Sequence, residues 1–348
     1  MNILLGTNHL EKTGGTENYL LAMAQSLLNK GHSVEYFCFK KGSISTLLEK
    51  MGIPFMSKKY YDLIISNHKN VVSYLCWKGF TIQTCHGKIP PIEQPSPKAD
   101  LHVGISEEIK KHVMSLGYDC YTILNGIDCS RFYPQKPINT ELKVVLSLCQ
   151  GDEAHQFVKE CCDQLDIRFI RADKAKDNVF NIENTINEAD LVVGIGRSIY
   201  DSMACGRCVI SYDYRVYNNK PLGDGYISKE KIENSIKDNF TGRSSGLNFT
   251  HSLFIEELKK YKKEDGEHLR EFAKKELNID FQVQKYIQLY EKKQTELNSQ
   301  SIISKLLYKT KKNYYHFYEW QKQLFSKKKI IFVISLINSP ERVLNTLI

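Results

Sequence analysis

The chain has 348 residues, enough for two medium-sized hydrophobic cores, and its 42% hydrophobic and 25% charged residues are ordinary for a globular protein. No apolar run reaches the roughly 20 residues that a membrane-spanning helix needs. The first residues also lack the basic start, long apolar stretch and cleavage site of a secretory signal. We therefore expect a cytoplasmic protein whose ten cysteines are reduced.

The first third of the chain alternates short apolar strands with helices. A strand is predicted at residues 3–5, then a loop, and then a helix whose apolar residues recur at helical spacing until Gly31 ends it. Ser106 is a good N-cap for a later helix. This alternation predicts a parallel sheet covered by helices on both faces. The further strands of this series are predicted at residues 34–39, 63–65, 81–85, 101–105 and 121–124.

A second series of strands follows a proline-containing linker at residues 132–137. These strands are predicted at residues 142–148, 168–170, 191–193 and 209–211, again separated by helix-length segments. We therefore predict an α/β protein with two doubly wound Rossmann-like lobes facing each other across a cleft. The predicted boundaries are a first lobe over 1–137, a second lobe over 138–280, a helix packing back on the first lobe over 281–298, and a basic-aromatic helical tail over 299–348.

The formal net charge of +8 is unevenly distributed, because residues 301–329 contain eight lysines and a single acid, Glu319. Aromatic residues lie between the lysines, and residues 330–337 are apolar but too few to span a bilayer. Such a segment suits an anionic membrane surface or a nucleic acid, and a plain solvated tail is the simpler alternative. Nucleic acid is disfavoured because the opening lobe lacks a basic-aromatic platform. The partner that suits residues 301–337 is therefore the inner face of a membrane, with the solvated tail left open as the alternative.

Cys205 and Cys208 form the one cysteine pair at the spacing of a redox or metal site. A zinc site would need a second pair, or histidines at matching spacing, and the sequence has neither. We expect these two residues to pack as small buried thiols, and we predict no metal site.

Two glycine-flanked helix starts are candidates for binding an anion at the strand ends. Gly14 and Gly15 open the first helix, where free backbone N–H groups favour negative charge. In the second lobe, Gly196 precedes Arg197, and an arginine beside free N–H groups suits a diphosphate. Asp201 follows one turn later and could accept hydrogen bonds from sugar hydroxyls. The alternatives are a surface salt bridge for Arg197 and a helix-dipole role for Asp201.

Taken in order, these pieces resemble the retaining family-4 glycosyltransferases. The resemblance covers about residues 1–295, and the order and spacing of its parts are more specific than any one part. It rests on Gly-Gly-Thr-Glu at 14–17, Lys-Gly-His-Ser-Val at 30–34, His-Gly at 86–87, residues 99–107, Leu-Asn-Gly-Ile-Asp at 124–128, Arg-Phe at 131–132, and residues 189–207.

The resemblance implies a GT-B fold, with a nucleotide-sugar donor held mainly by the second lobe and an acceptor held mainly by the first. It implies no bound metal or other cofactor, because helix dipoles and basic side chains balance the diphosphate. His86 would face the sugar, and hydrogen bonding to the sugar or the leaving phosphate would be its chemistry. The donor-binding residues implied are Gly14 and Gly15 at the phosphates, Gly194, Ile195, Gly196, Arg197 and Ser198 around the diphosphate, and Asp201 at the ribose.

Three departures separate this chain from the family pattern. Val193 stands where the family has the first of two glutamates, and Asp201 replaces the second. Residues 147–156 also lack the arginine and lysine that the family sets against the donor phosphates, leaving only His155. Each such donor is typically worth about 2.7–4 kcal/mol in the transition state. We therefore hypothesise that Arg197 replaces them in catalysis.

Two functions follow from these observations. The leading one is the transfer of a hexose from a nucleotide sugar to a glycan or glycolipid, with retention and without a metal. The alternative, supported by Val193 and the missing basic pair, is a non-catalytic module that binds a nucleotide sugar or a partner enzyme. No motif supports an epimerase on the same two-lobed fold. The sequence leaves the donor, the acceptor and the oligomeric state open.

Overall fold

A computed structural model of the chain describes residues 1–11, 14–172, 181–215, 220–243 and 245–327. The chain divides into two compact units, Met1–Ser299 and Gln300–Ile348. The first unit contains two α/β lobes, as the alternation of apolar strands and helices predicts, and this part of the fold prediction is confirmed.

The first lobe is built on a six-stranded sheet in which every strand is parallel to its neighbours. Its strands are β1 (Asn2–His9), β2 (Ser33–Lys40), β3 (Tyr61–Ser66), β4 (Gly79–Cys85), β5 (Leu101–Gly104) and β6 (Cys120–Thr122). They lie in the order β2-β1-β3-β4-β5-β6. The helices of this lobe are α1 (Gly15–Asn29), α2 (Ser43–Lys50), α3 (Lys69–Leu75) and α4 (Glu107–Ser115), and α4 begins at the predicted N-cap, where Ser106 Oγ accepts from the Ile109 N–H.

The second lobe has a five-stranded sheet in the order β11-β10-β9-β7-β8. Its strands are β7 (Val144–Ser147), β8 (Arg168–Arg171), β9 (Leu191–Gly194), β10 (Cys208–Arg215) and β11 (Lys220–Tyr226). The helices described in this lobe are α5 (Asp152–Asp163), α6 (Ile182–Ile186), α7 (Arg197–Ala204), α8 (Ile232–Ser235), α9 (His251–Lys259) and α10 (Lys263–Phe272).

Strand β11 was not predicted, and it runs antiparallel to β10. Its sequence contains Pro221, Gly223 and Gly225, residue types that are depleted in strands. An edge strand tolerates them, because one side of its backbone has no strand to pair with. Packing against β10 therefore decides this element, and local propensity does not.

The chain crosses between the lobes at two segments that are hydrogen-bonded to each other. The Ile127 N–H donates to the Leu277 carbonyl at 2.7 Å, and the Ile279 N–H donates to the Ile127 carbonyl at 2.8 Å. A Cβ on Gly126 would lie only 2.9 Å from Ile279 Cα, so the predicted turn glycine serves this close approach. Ile127 and Phe132 already belong to the core of the second lobe.

The last helix of the first unit, α11 (Ile279–Ser299), packs on α1 of the first lobe. Tyr286 lies in the first-lobe core, where its hydroxyl accepts from Tyr19 Oη at 3.2 Å. Ser26 Oγ donates to Asp280 Oδ1 at 2.5 Å. The chain thus ends its second lobe and returns to cover the first.

The second unit contributes one described helix, α12 (Ile302–Lys327). Its large apolar side chains are exposed, from 83% at Ile302 to 41% at Tyr314. In the part of the chain that the structure describes, no helix combines the length and apolarity needed to cross a bilayer. The apolar segment predicted at residues 330–337 lies outside the described residues.

Candidate functional site

Strand order places a crevice at one point in each sheet. In the first lobe, β1 has β2 on one side and β3 on the other, and in the second lobe β7 lies between β8 and β9. Ligands of open α/β sheets bind beyond the carboxyl ends of the strands at such switch points. The residues that follow β1 and β3 in the first lobe, and β7 and β9 in the second, are therefore the candidates for a site.

In the second lobe, the segment after β9 turns sharply into α7. Gly196 is the N-cap of α7 and has a φ of +55°, a backbone conformation that favours glycine. A Cβ there would lie 3.0 Å from Asn239 Nδ2. No side chain caps the helix. In its first turn the Ser198 N–H donates to the Ile195 carbonyl at 3.3 Å and the Ile199 N–H to the Gly196 carbonyl at 3.0 Å, so the helix dipole supplies the positive charge at this end.

Arg197 lies on the first turn of α7 with its guanidinium buried between the two lobes. Its Nε donates to Asp201 Oδ1 at 2.6 Å, and its Nη1 donates to the Gly126 carbonyl at 2.7 Å, at the point where the chain crosses between the lobes. Its Nη2 is buried without a hydrogen-bond partner. An unpaired buried donor on a charged group is costly, which marks Nη2 as the nitrogen available to an anion.

The N-termini of α1 and α7 meet across the cleft. A Cβ built on Gly15 would lie 3.7 Å from Arg197 Cβ, so the start of α1 faces the start of α7. A Cβ on Gly14 would lie 2.3 Å from Glu17 Oε2, so a side chain there would force the Glu17 carboxylate to move. Two positive helix ends and a guanidinium therefore converge on one place.

The predicted donor loop is buried in this conformation. Every residue from 194 to 198 is buried, with Ile195 9% exposed and Arg197 and Ser198 each 6% exposed. Asp201, predicted to contact a ribose, is 1% exposed and is occupied by Arg197. Gly14 and Gly15 on the facing helix are partly exposed.

His86 follows β4 in the first lobe and is held by two contacts. Its Nε2 lies 3.2 Å from Asn67 Oδ1, and its ring packs edge-on against Tyr19 with the centroids 5.7 Å apart. Burial, with His68 nearby, lowers the pKa of His86 to about 3. A neutral imidazole at neutral pH can hydrogen-bond a sugar hydroxyl, as the resemblance implies for this residue.

Asn8, near the end of β1, and His68, just after β3, are polar residues that the sequence did not single out. The Asn8 N–H donates to His68 Nδ1 at 3.1 Å, which leaves the ring proton of neutral His68 on Nε2. Burial, with His9 nearby, lowers the pKa of His68 to about 4. His68 lies shortly after the predicted strand at residues 63–65, and that position beyond a strand end is the sequence signal for it.

His9 and Glu17 form a pair beside the start of α1. His9 Nδ1 lies 3.4 Å from Glu17 Oε1, and the two side chains are 45% and 7% exposed. Burial raises the pKa of Glu17, an effect that His9 partly offsets. A half-exposed imidazole held by a buried carboxylate can accept a proton, provided that its free nitrogen faces a hydroxyl.

The three departures from the family pattern have structural counterparts. Val193 is fully buried in the core, and His155 is 1% exposed.

Cys205 and Cys208 are buried, and burial raises the pKa of each thiol to about 12. Among the described residues, no group of three or more metal-ligating side chains comes together.

Comparison with known proteins finds no matching family model and no matching curated sequence. Solved structures do match. Anabaena HepE, solved with UDP and glucose, is similar at 14% identity and a TM-score of 0.56, over 83% of this chain and 99% of that chain. The catalytic domain of Arabidopsis thaliana starch synthase IV, solved with ADP and acarbose, is 11% identical with a TM-score of 0.52, over 84% and 98% of the two chains.

An α-glucosyltransferase solved with UDP and a 13-mer DNA is also similar, at 11% identity and a TM-score of 0.51, over 84% of this chain and 99% of that chain. The match extends over nearly the whole length of these proteins, so it includes both lobes and their arrangement. Identities this low support a conclusion about architecture. The chain has the two-lobed GT-B fold.

Proposed function

We propose that this protein transfers a hexose from a nucleotide sugar to a glycan or glycolipid acceptor, without a metal. The observation that carries the proposal is the meeting of the α1 and α7 N-termini at Arg197. A diphosphate is the anion that suits two helix ends and a guanidinium, because backbone N–H groups and the planar donor can share its oxygens.

The names of the similar structures support this assignment. HepE and the α-glucosyltransferase were solved with UDP, and the starch synthase with ADP, so a nucleoside diphosphate is common to all three. Their different bases leave the base of this donor open. The donor would reach the α7 N-terminus once the lobes separate, with the chain crossings at residues 126–127 and 277–279 acting as the hinge.

In this scheme Arg197 carries the leaving-group charge and Asp201 orients it. The bond between the anomeric carbon and the diphosphate oxygen breaks, and a bond to the acceptor hydroxyl forms. With retention, as the family resemblance implies, the leaving phosphate takes the acceptor proton. His86 would hydrogen-bond the sugar from the first lobe, and Gly15 would let α1 approach the phosphates.

The His9–Glu17 pair favours a second candidate, transfer with inversion. A base that removes the acceptor proton allows attack on the face opposite the diphosphate. His9 would take that proton, and buried Glu17 would stabilise the imidazolium. The anomeric configuration of the product, read by proton NMR, separates the two routes. Under inversion His9→Ala abolishes transfer, whereas under retention it leaves most of the rate.

A nucleotide screen followed by a transfer assay tests the proposal. We expect UDP or ADP to raise the melting temperature, and Arg197→Ala and Arg197→Lys each to weaken nucleoside diphosphate binding and slow transfer about a hundredfold or more. Arg168→Ala, an exposed arginine on β8, is the control and should behave as the parent. Unchanged binding and transfer in both Arg197 variants would exclude this site. Binding without transfer by any donor would establish the non-catalytic alternative.

We also propose that α12 attaches the protein to an anionic membrane surface. At 100° per residue, its exposed apolar side chains cover an arc of about 160°, and the four lysines whose side chains are described, at 305, 309, 311 and 312, all lie outside that arc. This pattern is typical of helices that lie in a membrane interface. The residues of the arc are Ile302, Ile303, Leu306, Leu307, Tyr314, Phe317 and Tyr318.

Vesicle flotation of the full chain tests this attachment. Binding to vesicles containing phosphatidylserine should exceed binding to phosphatidylcholine alone, and Ile303→Ser with Leu307→Ser should remove most of it. Phe39→Ser with Met114→Ser, two exposed apolar residues of the first unit, is the matched control and should float as the parent does. Equal flotation of the two double variants would contradict the role of α12.

A further inference from the structure

A groove of about 1250 Å³ lies between the lobes, beside the site described above. Its first-lobe wall is formed by Lys88 and the first turns of α4, and its second-lobe wall by β11 and residues 231–247. Asp238 lines the groove, and its neighbour Asn239 contacts Gly196 at the start of α7. Residues 238 and 239 thus connect the groove to the α7 N-terminus.

Glu108, an acidic residue of the groove, is paired with a cation from each lobe. Glu108 accepts from Arg243 Nε at 2.8 Å and from Lys88 Nζ at 2.9 Å, so three charges join the two lobes. Burial alone would raise the pKa of Glu108, but hydrogen bonds from Arg243 and Lys88 lower it. The carboxylate stays ionised and shares its charge between two cations.

The other acids of the groove are buried or hydrogen-bonded. Asp224 and Asp238 are 5% and 3% exposed, and burial, together with Asp238, raises the pKa of Asp224. Asp238 accepts from the Thr241 N–H at 3.3 Å. Glu107 is engaged by Thr122 Oγ1 at 2.5 Å and by Lys110 at 3.6 Å.

Four lysines of the groove are not held in ion pairs, although Lys231 is near enough to Asp224 to act on the pKa of that carboxyl. Within the described part of the chain, none of Lys111, Lys220, Lys231 and Lys237 forms an ion pair. Lys231 donates to the Asp224 backbone carbonyl at 3.2 Å, and Lys237 to the Asn234 side-chain amide at 2.9 Å. Both partners are neutral, so the cationic charge remains available.

We propose that this groove binds the acceptor, and that the acceptor carries phosphate groups. Six cationic side chains line the groove against four carboxylates, and a concave site with such an excess of positive charge attracts a polyanion more strongly than the same charges on a flat surface. Lysines on flexible stems suit phosphates spaced along a chain. Leu222 and Leu247 supply apolar surface for the faces of sugar rings. The inference rests on the proposed function, since it assigns the second substrate of that reaction.

Titration of the full chain with inorganic tripolyphosphate tests the groove without requiring turnover. Lys111→Gln with Lys237→Gln removes one lysine from each wall, and we expect tripolyphosphate to bind at least tenfold more weakly. Lys50→Gln with Lys275→Gln removes the same net charge from exposed positions on α2 and near α10, and should change binding less than threefold. Equal losses in the two double variants would overturn the proposal.

Two further measurements distinguish the possible causes. If Arg197→Lys weakens tripolyphosphate binding and Lys111→Gln with Lys237→Gln does not, the anion binds at the donor site and the groove is excluded. Binding of tripolyphosphate in the groove without any sugar transfer would retain the groove as an anion site and reject the proposed function. Competition by a phosphorylated oligosaccharide and by short-chain phosphatidic acid then separates a glycan phosphate from a lipid headgroup as its source.

Discussion

The two edges that face the cleft differ in chemistry. The first-lobe edge presents polar side chains at successive strand ends, whereas the second-lobe edge presents glycine, apolar residues and one buried ion pair. The first-lobe side chains are Asn8, His9, Glu17, Asn67, His68 and His86, and the second-lobe residues are Leu148, Gly194, Ile195, Gly196, Arg197 and Asp201.

This difference indicates how the two lobes can share a reaction. A surface of glycine and helix N-terminus binds an anion through backbone N–H groups, which cannot titrate and do not depend on side-chain type. A surface of histidines and a buried carboxylate can hydrogen-bond hydroxyls and move protons. Binding would then rest with the second lobe and proton chemistry with the first.

The ion pair between Arg197 and Asp201 lies within α7 and is buried, so removing one partner should be costly. Asp201→Ala leaves the Arg197 guanidinium buried with only a carbonyl partner, and we expect a loss of about 3–5 kcal/mol in the free energy of unfolding. Urea denaturation measures it. Glu256→Ala breaks the exposed Lys259 pair and should cost less than about 1 kcal/mol. Similar losses of unfolding free energy in the two variants would show that burial adds nothing to the stabilisation by the Arg197–Asp201 pair.

The histidines of the first lobe should make stability depend on pH. His68 has a pKa of about 4 in the folded chain, below that of an unfolded histidine, so the unfolded state binds its proton first as the pH falls. Stability is complete above about pH 6.5 and falls towards pH 4, by about 2 kcal/mol between pH 7.5 and 5 from His68 alone.

Unfolding free energies measured at pH 7.5 and pH 5 check this slope. His68→Asn keeps an acceptor for the Asn8 N–H, removes one titrating ring, and should reduce the loss by about 2 kcal/mol, while His86, whose pKa is also lowered, keeps a residual slope. His32→Asn, at a partly exposed position, is the control and should retain most of the slope of the parent. A parent-like slope in His68→Asn would assign the pH dependence to other groups.

Substitutions at Gly126 and Gly15, two glycines at the cleft, test packing and nucleotide binding separately. Gly126→Ala sets a Cβ 2.6 Å from Ile279 Cδ1 and 2.9 Å from its Cα, and should lower the unfolding free energy by about 1–3 kcal/mol. Gly15→Ala has ordinary contact at 3.7 Å and should change it by less than about 0.5 kcal/mol. Nucleotide binding should weaken in Gly15→Ala, and a variant that binds as the parent does would remove Gly15 from the site.

Much of the first lobe follows from sequence alone, because each strand is short, apolar and bounded by a clear turn or cap. Gly31, with a φ of +78°, and Ser106, which caps α4, are local signals whose physics needs no tertiary partner. The two glycine-flanked helix starts could also be found, since a glycine before an apolar helix at a strand end has few other uses.

Only the tertiary structure decided how those pieces are used. Pairing with β10 makes a strand of 220–226 despite Pro221, and the lobe crossing turns Gly126 into a contact for both Ile279 and Arg197. Lys111 lies more than a hundred residues before Lys220, Lys231 and Lys237, so no local pattern could group all four. Sequence determines what each segment can form, and long-range packing determines which charges end up near one another.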